Sequence, residues 1–109
     1  MKGRFIEVAI AGAIAPGRMT CIAVDGRRLL LANVQGRFYA TDDRCTHEDA
    51  SLSSGVLKGE FVRCPLHGSR FNVRTGEALE EPAEHALRTY PVQLQGDRVL
   101  VELDDGSGS

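Results

Sequence analysis

The chain of 109 residues carries thirteen Lys or Arg against fifteen Asp or Glu, a formal net charge of −2 at pH 7. That length supports one domain, small enough that a covalent or metal staple matters to its stability. A nucleic-acid partner would need a basic excess gathered on one face, and no apolar run approaches the roughly 20 residues of a membrane span, so the chain reads as soluble and cytoplasmic.

Taken in order, the segments alternate short apolar runs with turn residues, and no long stretch holds a helical period. A first strand is predicted over 5–10; Glu7 interrupts its apolar character, and residues 9–15 are too short and Gly-rich for a secretory signal. One short helical turn is expected at 11–15, then a loop at Pro16 and Gly17. Strands over 21–24 and 29–34 flank Asp25 and Gly26, a hairpin dipeptide, and Gln35 and Gly36 turn the chain into a third strand of that meander over 37–41. Residues 42–54 are polar and small, hence a loop. Short strands are expected at 60–63 and 71–73, the second leaving through Thr75 and Gly76. A final hairpin pairs 87–94 with 98–103 around Gln95, Gly96 and Asp97. The pattern is all-β, a small antiparallel sandwich or barrel. Residues 104–109 have no apolar anchor and are expected to be disordered.

Two short boxes interrupt this β pattern. Cys45-Thr46-His47 is followed, after sixteen residues, by Cys64-Pro65-Leu66-His67. Two thiolates and two imidazoles can hold one zinc ion or an iron–sulfur cluster. In Cys2His2 zinc fingers like pairs with like, whereas here each box mixes one Cys with one His. Two loops that each offer a soft and a nitrogen ligand suit a two-iron cluster whose ends differ. Such a cluster would staple Cys45 to Cys64, leaving Cys21 alone and no disulfide framework.

The boxes resemble those of the Rieske ferredoxins, Cys-x-His and then Cys-x-x-His after a comparable spacer. The likeness extends to Ala50-Ser51-Leu52-Ser53-Ser54-Gly55 between the boxes and Phe71-Asn72-Val73-Arg74-Thr75-Gly76 after them. The resemblance implies a Rieske [2Fe–2S] cluster with Cys45 and Cys64 on the buried iron and His47 and His67 on the outer one. It also implies a cluster-binding subdomain, residues 43–83, inserted into a β base made of 1–42 and 84–103. Rieske proteins of cytochrome bc complexes join their cluster loops by a disulfide. Ala50 and Leu66 stand at the matching positions here, which points to the ferredoxin branch and a lower potential within the range of roughly −150 to +300 mV. Ser69 matches a position whose hydroxyl can bond a bridging sulfide, while Phe71 replaces a tyrosine of the high-potential relatives.

Other features have plainer readings. Cys21 reads as a buried strand thiol, His85 as a surface residue, Tyr39 and Tyr90 as packing, and Glu77, Glu80, Glu81 and Glu84 as a solvated turn. Gly68 and Gly55 would let backbone amides approach the cluster, and Pro65 would stiffen the second loop. Arg44, Arg63, Arg70 and Arg74 lie near the boxes, where they would steer an acidic partner or simply stay solvated. No Rossmann fingerprint, P-loop or spare histidine pair for mononuclear iron is present, so the chain is expected to be a carrier and not an enzyme. The resemblance implies a monomer shuttling electrons from a flavin reductase to the terminal oxygenase of a multicomponent aromatic-ring dioxygenase, docking transiently at the His47/His67 end. Two alternatives remain: a small Rieske-like subunit of an assimilatory nitrite reductase, and a zinc-stapled binding domain without redox work.

Overall fold

Four consecutive residues, Leu29, Leu30, Leu31 and Ala32, are wholly inaccessible to solvent. Successive strand residues face opposite sides, so this strand must be covered on both faces, and that requirement organises the molecule. The computed structural model describes residues 4–44, 51–65, 68–79 and 86–103.

The middle sheet contains the doubly covered strand. It consists of β2 (Met19–Val24), β3 (Arg27–Val34), β4 (Arg37–Asp42) and β8 (Thr89–Tyr90) in the order β2-β3-β4-β8. On one side lies an outer sheet of β1 (Arg4–Ile10), β10 (Arg98–Leu103) and β9 (Val92–Gln95), ordered β1-β10-β9. On the other lies the smallest sheet, β5 (Val56–Lys58), β6 (Phe61–Arg63) and β7 (Arg70–Asn72), in chain order. Every strand pairing is antiparallel.

Two separate apolar clusters fill the gaps between these layers. Leu29 and Leu31 join Phe38, Ala40, Tyr90, Val99, Val101 and Leu103 in the base core. Leu30 and Ala32 point the other way, onto Leu52, Val62, Cys64, Phe71, Val73 and Leu87. The three-leucine run therefore belongs half to each core.

The hairpins follow their turn chemistry. Asp25 and Gly26 have φ of 51° and 76°, and Gln35 and Gly36 have 55° and 90°. Both central residues of a two-residue type I′ loop need positive φ, which glycine accepts readily in the second place. The expected helical turn at 11–15 is a single 3-10 turn, Ala11–Ala13.

Three expectations need correction. The strand predicted over 87–94 is two strands in different sheets: β8 pairs with β4, and β9 with β10. Pro91 stands between them with no N–H to continue a ladder, while its carbonyl accepts from Glu102 N at 2.9 Å. A further strand, β5, lies between the expected loop at 42–54 and the expected strand at 60–63, where no element was anticipated. It pairs with β6 through a turn at Gly59, φ 63°, and its three residues are too few to show an alternation. Cys21 is only partly buried, because β2 is an edge strand of the middle sheet. The anticipated tail at 104–109 lies outside the described residues. Among the described residues, no helix is long and apolar enough to cross a membrane.

Tyr90 closes the end of the middle sheet. Its hydroxyl donates to Asp42 Oδ1 at 2.6 Å, and the Arg88 guanidinium lies over the ring, 5.0 Å from its centroid. Burial, reinforced by the hydrogen bond to Asp42, pushes the phenol from 10.0 up to about 12. The folded protein thus favours neutral Tyr90. This contribution to stability is complete below pH 10.0 and is lost as the pH rises through about 12. Urea midpoints followed from neutral pH to about 12 should show the advantage of wild type over Tyr90→Phe shrinking across that window. A constant difference between the two proteins would assign the alkaline transition to other groups.

Candidate metal centre

β6 leads directly into the second box. Beyond Arg63, Cys64 N donates to the Ser69 carbonyl at 2.8 Å and Gly68 N donates to the Cys64 carbonyl at 3.1 Å. Gly68 has φ 76°, a left-handed conformation that its missing Cβ makes inexpensive. The chain then returns as β7, with Arg63 opposite Arg70. Two backbone bonds, to Ser69 and from Gly68, therefore hold Cys64 at the end of the strand.

Cys64 is 2% exposed and sits in the apolar layer with Leu52, Val62 and Phe71. Beside it opens a cavity of about 350 Å³ whose wall includes Ser54, Gly55, Val56 and Pro65. Ser69 and Phe71 are buried as well. A thiolate in such a place has no water to stabilise it, so it needs a metal or close N–H donors. The setting suits an inner cluster ligand.

The first box lies between described flanks. Arg44 and Ser51 form an isolated antiparallel bridge, so the chain on either side of 45–50 is drawn together. Leu52 follows, wholly buried against the layer that contains Cys64. A 3-10 turn, Leu52–Ser54, then brings Gly55 against the strand end before Cys64. A Cβ on Gly55 would stand 1.9 Å from the Arg63 carbonyl oxygen. The approach that Gly55 allows here is to the backbone just before the second box.

Cys64 is the one expected ligand among the described residues. Cys45, His47 and His67 lie outside them, as do Ala50, Leu66, Glu80, Glu81, Glu84 and His85. No three His, Cys, Asp or Glu side chains gather into a metal site among the described residues, and neither Cys21 nor Cys64 is in a disulfide. Tyr39 packs against the cluster-side core and Tyr90 within the base core. The sequence reading missed Asp43, Ser51 and Ser53 as structural participants. Their only signal was an acid and three serines flanking a ligand box.

Three stacked antiparallel sheets, the smallest presenting a buried cysteine at a strand end, define a small all-β domain. Comparison with known proteins specifies it further. The family model for the Rieske [2Fe-2S] domain matches residues 4–91. The ferredoxin component of the naphthalene 1,2-dioxygenase system of Pseudomonas aeruginosa is 41% identical over 103 residues, 94% of this chain and 99% of that one. The ferredoxin component of biphenyl 2,3-dioxygenase from Rhodococcus jostii (strain RHA1) is 44% identical over 100 residues, covering 92% and 94%. A chain in the complex of reduced oxygenase and oxidized ferredoxin of carbazole 1,9a-dioxygenase superposes with a TM-score of 0.88 at 36% identity, covering 92% and 94%. The protein belongs to the Rieske [2Fe–2S] domain family, and its cofactor is a Rieske-type [2Fe–2S] cluster.

Gly55→Ala tests the contact between the two loops. The added methyl must displace either the 52–54 turn or the Arg63 carbonyl, a clash of the kind that costs about 1–3 kcal/mol. Urea unfolding should show that loss, and iron and sulfide per chain should fall with it. An unchanged iron content would mean that the turn relaxes without disturbing Cys64.

Proposed function

We propose that this protein is a one-electron carrier, the ferredoxin component of a multicomponent aromatic-ring dioxygenase. It would take electrons from a flavin-dependent reductase and deliver them to the terminal oxygenase. Its similarity, over nearly the full length of both chains, to ferredoxins of naphthalene and biphenyl dioxygenase systems carries this reading.

In this reading Cys45 and Cys64 bind the inner iron and His47 and His67 the outer iron. The cluster supplies reversible uptake of one electron; the chain supplies the enclosure. Burial of Cys64 supports its assignment to the inner iron. Residues 43–83 act as the cluster-binding subdomain, and 1–42 with 84–103 as the base. The protein works in the cytoplasm as a monomer and docks briefly at the end carrying His47 and His67.

Charge around Val56 supports an acidic partner. Val56, 61% exposed, shares a cavity of about 670 Å³ with Lys58, Phe61, Arg63 and Arg70. Three cations beside an exposed apolar side chain stand out on a chain of net charge −2. Such a face favours fast, salt-sensitive encounter and easy separation, as a shuttle requires.

Visible absorption and low-temperature EPR, before and after dithionite, test the carrier reading. A red-brown protein that bleaches and gives a rhombic signal, with average g below that of all-cysteine [2Fe–2S] centres, is the expected result. The reduced protein should then lose its electron to a terminal oxygenase of the naphthalene dioxygenase type. A colourless, redox-silent protein containing stoichiometric zinc would replace the carrier with a stapled binding domain. Reduced protein that holds its electron in the presence of every such oxygenase would instead favour the nitrite reductase alternative.

Ser69 gives a finer test. If its hydroxyl stabilises the reduced cluster, Ser69→Ala has a lower midpoint potential with its iron content intact. An unchanged potential would remove that role.

A further inference from the structure

Asp43 is the one buried carboxylate among the described residues, 2% exposed. It stands two residues before Cys45, and both its backbone and its side chain are engaged. Its N–H donates to the Arg28 carbonyl at 3.1 Å, and its own carbonyl accepts from Leu52 N at 2.6 Å. Oδ1 accepts from Ser53 N at 2.9 Å, and Oδ2 accepts from the Ser51 hydroxyl at 2.5 Å. The Arg28 guanidinium lies 3.8 Å from Oδ2. The Ser51 and Ser53 hydroxyls are themselves 3.0 Å apart.

A buried carboxylate without partners would be costly. Both of its side-chain hydrogen bonds go to the turn at 51–53, on the far side of the segment 45–50, with Arg28 facing Oδ2 from β3. The turn is in turn fixed to the second box. Leu52 is packed in the layer of Cys64, and Gly55 N donates to the Leu52 carbonyl at 2.9 Å. Gly55 then abuts the Arg63 carbonyl immediately before Cys64. Contacts thus run without a gap from the residue before Arg44 to the residue before Cys64.

We propose that Asp43 is a positioning residue for the cluster: its carboxylate latches the chain on both sides of the first box to the 51–53 turn, and through that turn sets the distance between the two boxes. The inference rests on the assignment of Cys45 and His47 as ligands. The carboxylate accepts from both the Ser51 hydroxyl and the Ser53 amide and faces the Arg28 guanidinium; an amide that kept the Ser53 bond would have to turn its NH2 to the Ser51 hydroxyl, reversing that bond, and would lose the charge opposite Arg28.

The test compares iron-loaded wild type with Asp43→Asn, Ser51→Ala and Val101→Ala. The last truncates the base core and touches neither box. Visible absorption is followed under an iron chelator well below each melting temperature, alongside the EPR of the reduced proteins. Loss of cluster from Asp43→Asn should be about tenfold faster or more, the scale on which supporting partners of metal ligands act, with g-values broadened or shifted. Ser51→Ala should change both readouts in the same direction by a smaller factor, and it carries the test if Asp43→Asn does not fold. Val101→Ala should lower the melting temperature yet leave cluster lifetime and EPR unchanged. Wild-type spectra and lifetimes in the Asp43 and Ser51 variants would overturn the latch, as would an equal effect of Val101→Ala, which would reduce Asp43 to a general contributor to stability. Wild type that takes up no iron would instead overturn the ligand assignment itself.

Discussion

The three sheets are arranged about one strand whose centre, Leu29 to Ala32, has no solvent face. Most strands of antiparallel sheets show water one side, and their sequences alternate accordingly. β3 does not: Leu29 and Leu31 serve the base core while Leu30 and Ala32 serve the layer beneath the second box. The small sheet of β5, β6 and β7 is therefore seated on the same backbone that seats the base. Opening either layer would expose one half of the same leucine run, so the two are expected to share their stability and not to melt in turn.

On that seat, the position of the metal centre is a matter of backbone and short polar groups. Cys64 is held by two backbone bonds, its neighbour Arg63 by the bare Cα of Gly55, and the flanks of the first box by the Asp43 carboxylate. The first and last of these are hydrogen bonds, and the Gly55 approach is backbone against backbone. Apolar packing fixes the distance between layers but tolerates sliding within them, whereas hydrogen bonds have direction. A redox site must keep its geometry in two charge states, and directional contacts serve that need.

Much of this was legible beforehand. Asp25 with Gly26 and Gln35 with Gly36 marked real two-residue turns, because positive φ at both places is a demand that few residue types meet. The two boxes named their chemistry because ligand type and spacing are local. What stayed hidden was non-local. The apolar run around Tyr90 read as one strand, since nothing near it tells that Pro91 separates two sheets. β5 was too short to show a period. Asp43 looked like one more loop acid; only the fold brings it against residues eight and ten positions further on. Gly55 was recognised as a close approach, but the Arg63 backbone it meets was not, because a glycine declares a contact without saying what it contacts.

The outer sheet places the first strand beside the last, with Arg4 opposite Leu103 and Ile10 opposite Arg98. During synthesis, β1 must wait for its partner until β10, some ninety residues later, has been made. The hairpins of the middle sheet and the small sheet around the second box have their partners close in sequence and need not wait. Contacts between distant residues are also the slow ones to form. Metal-binding loops are thus translated, and their hairpins can close, before the base beneath them is complete. Insertion of the cluster and closure of the outer sheet then become events that compete in time, and the order in which they occur is set by where the chain ends meet.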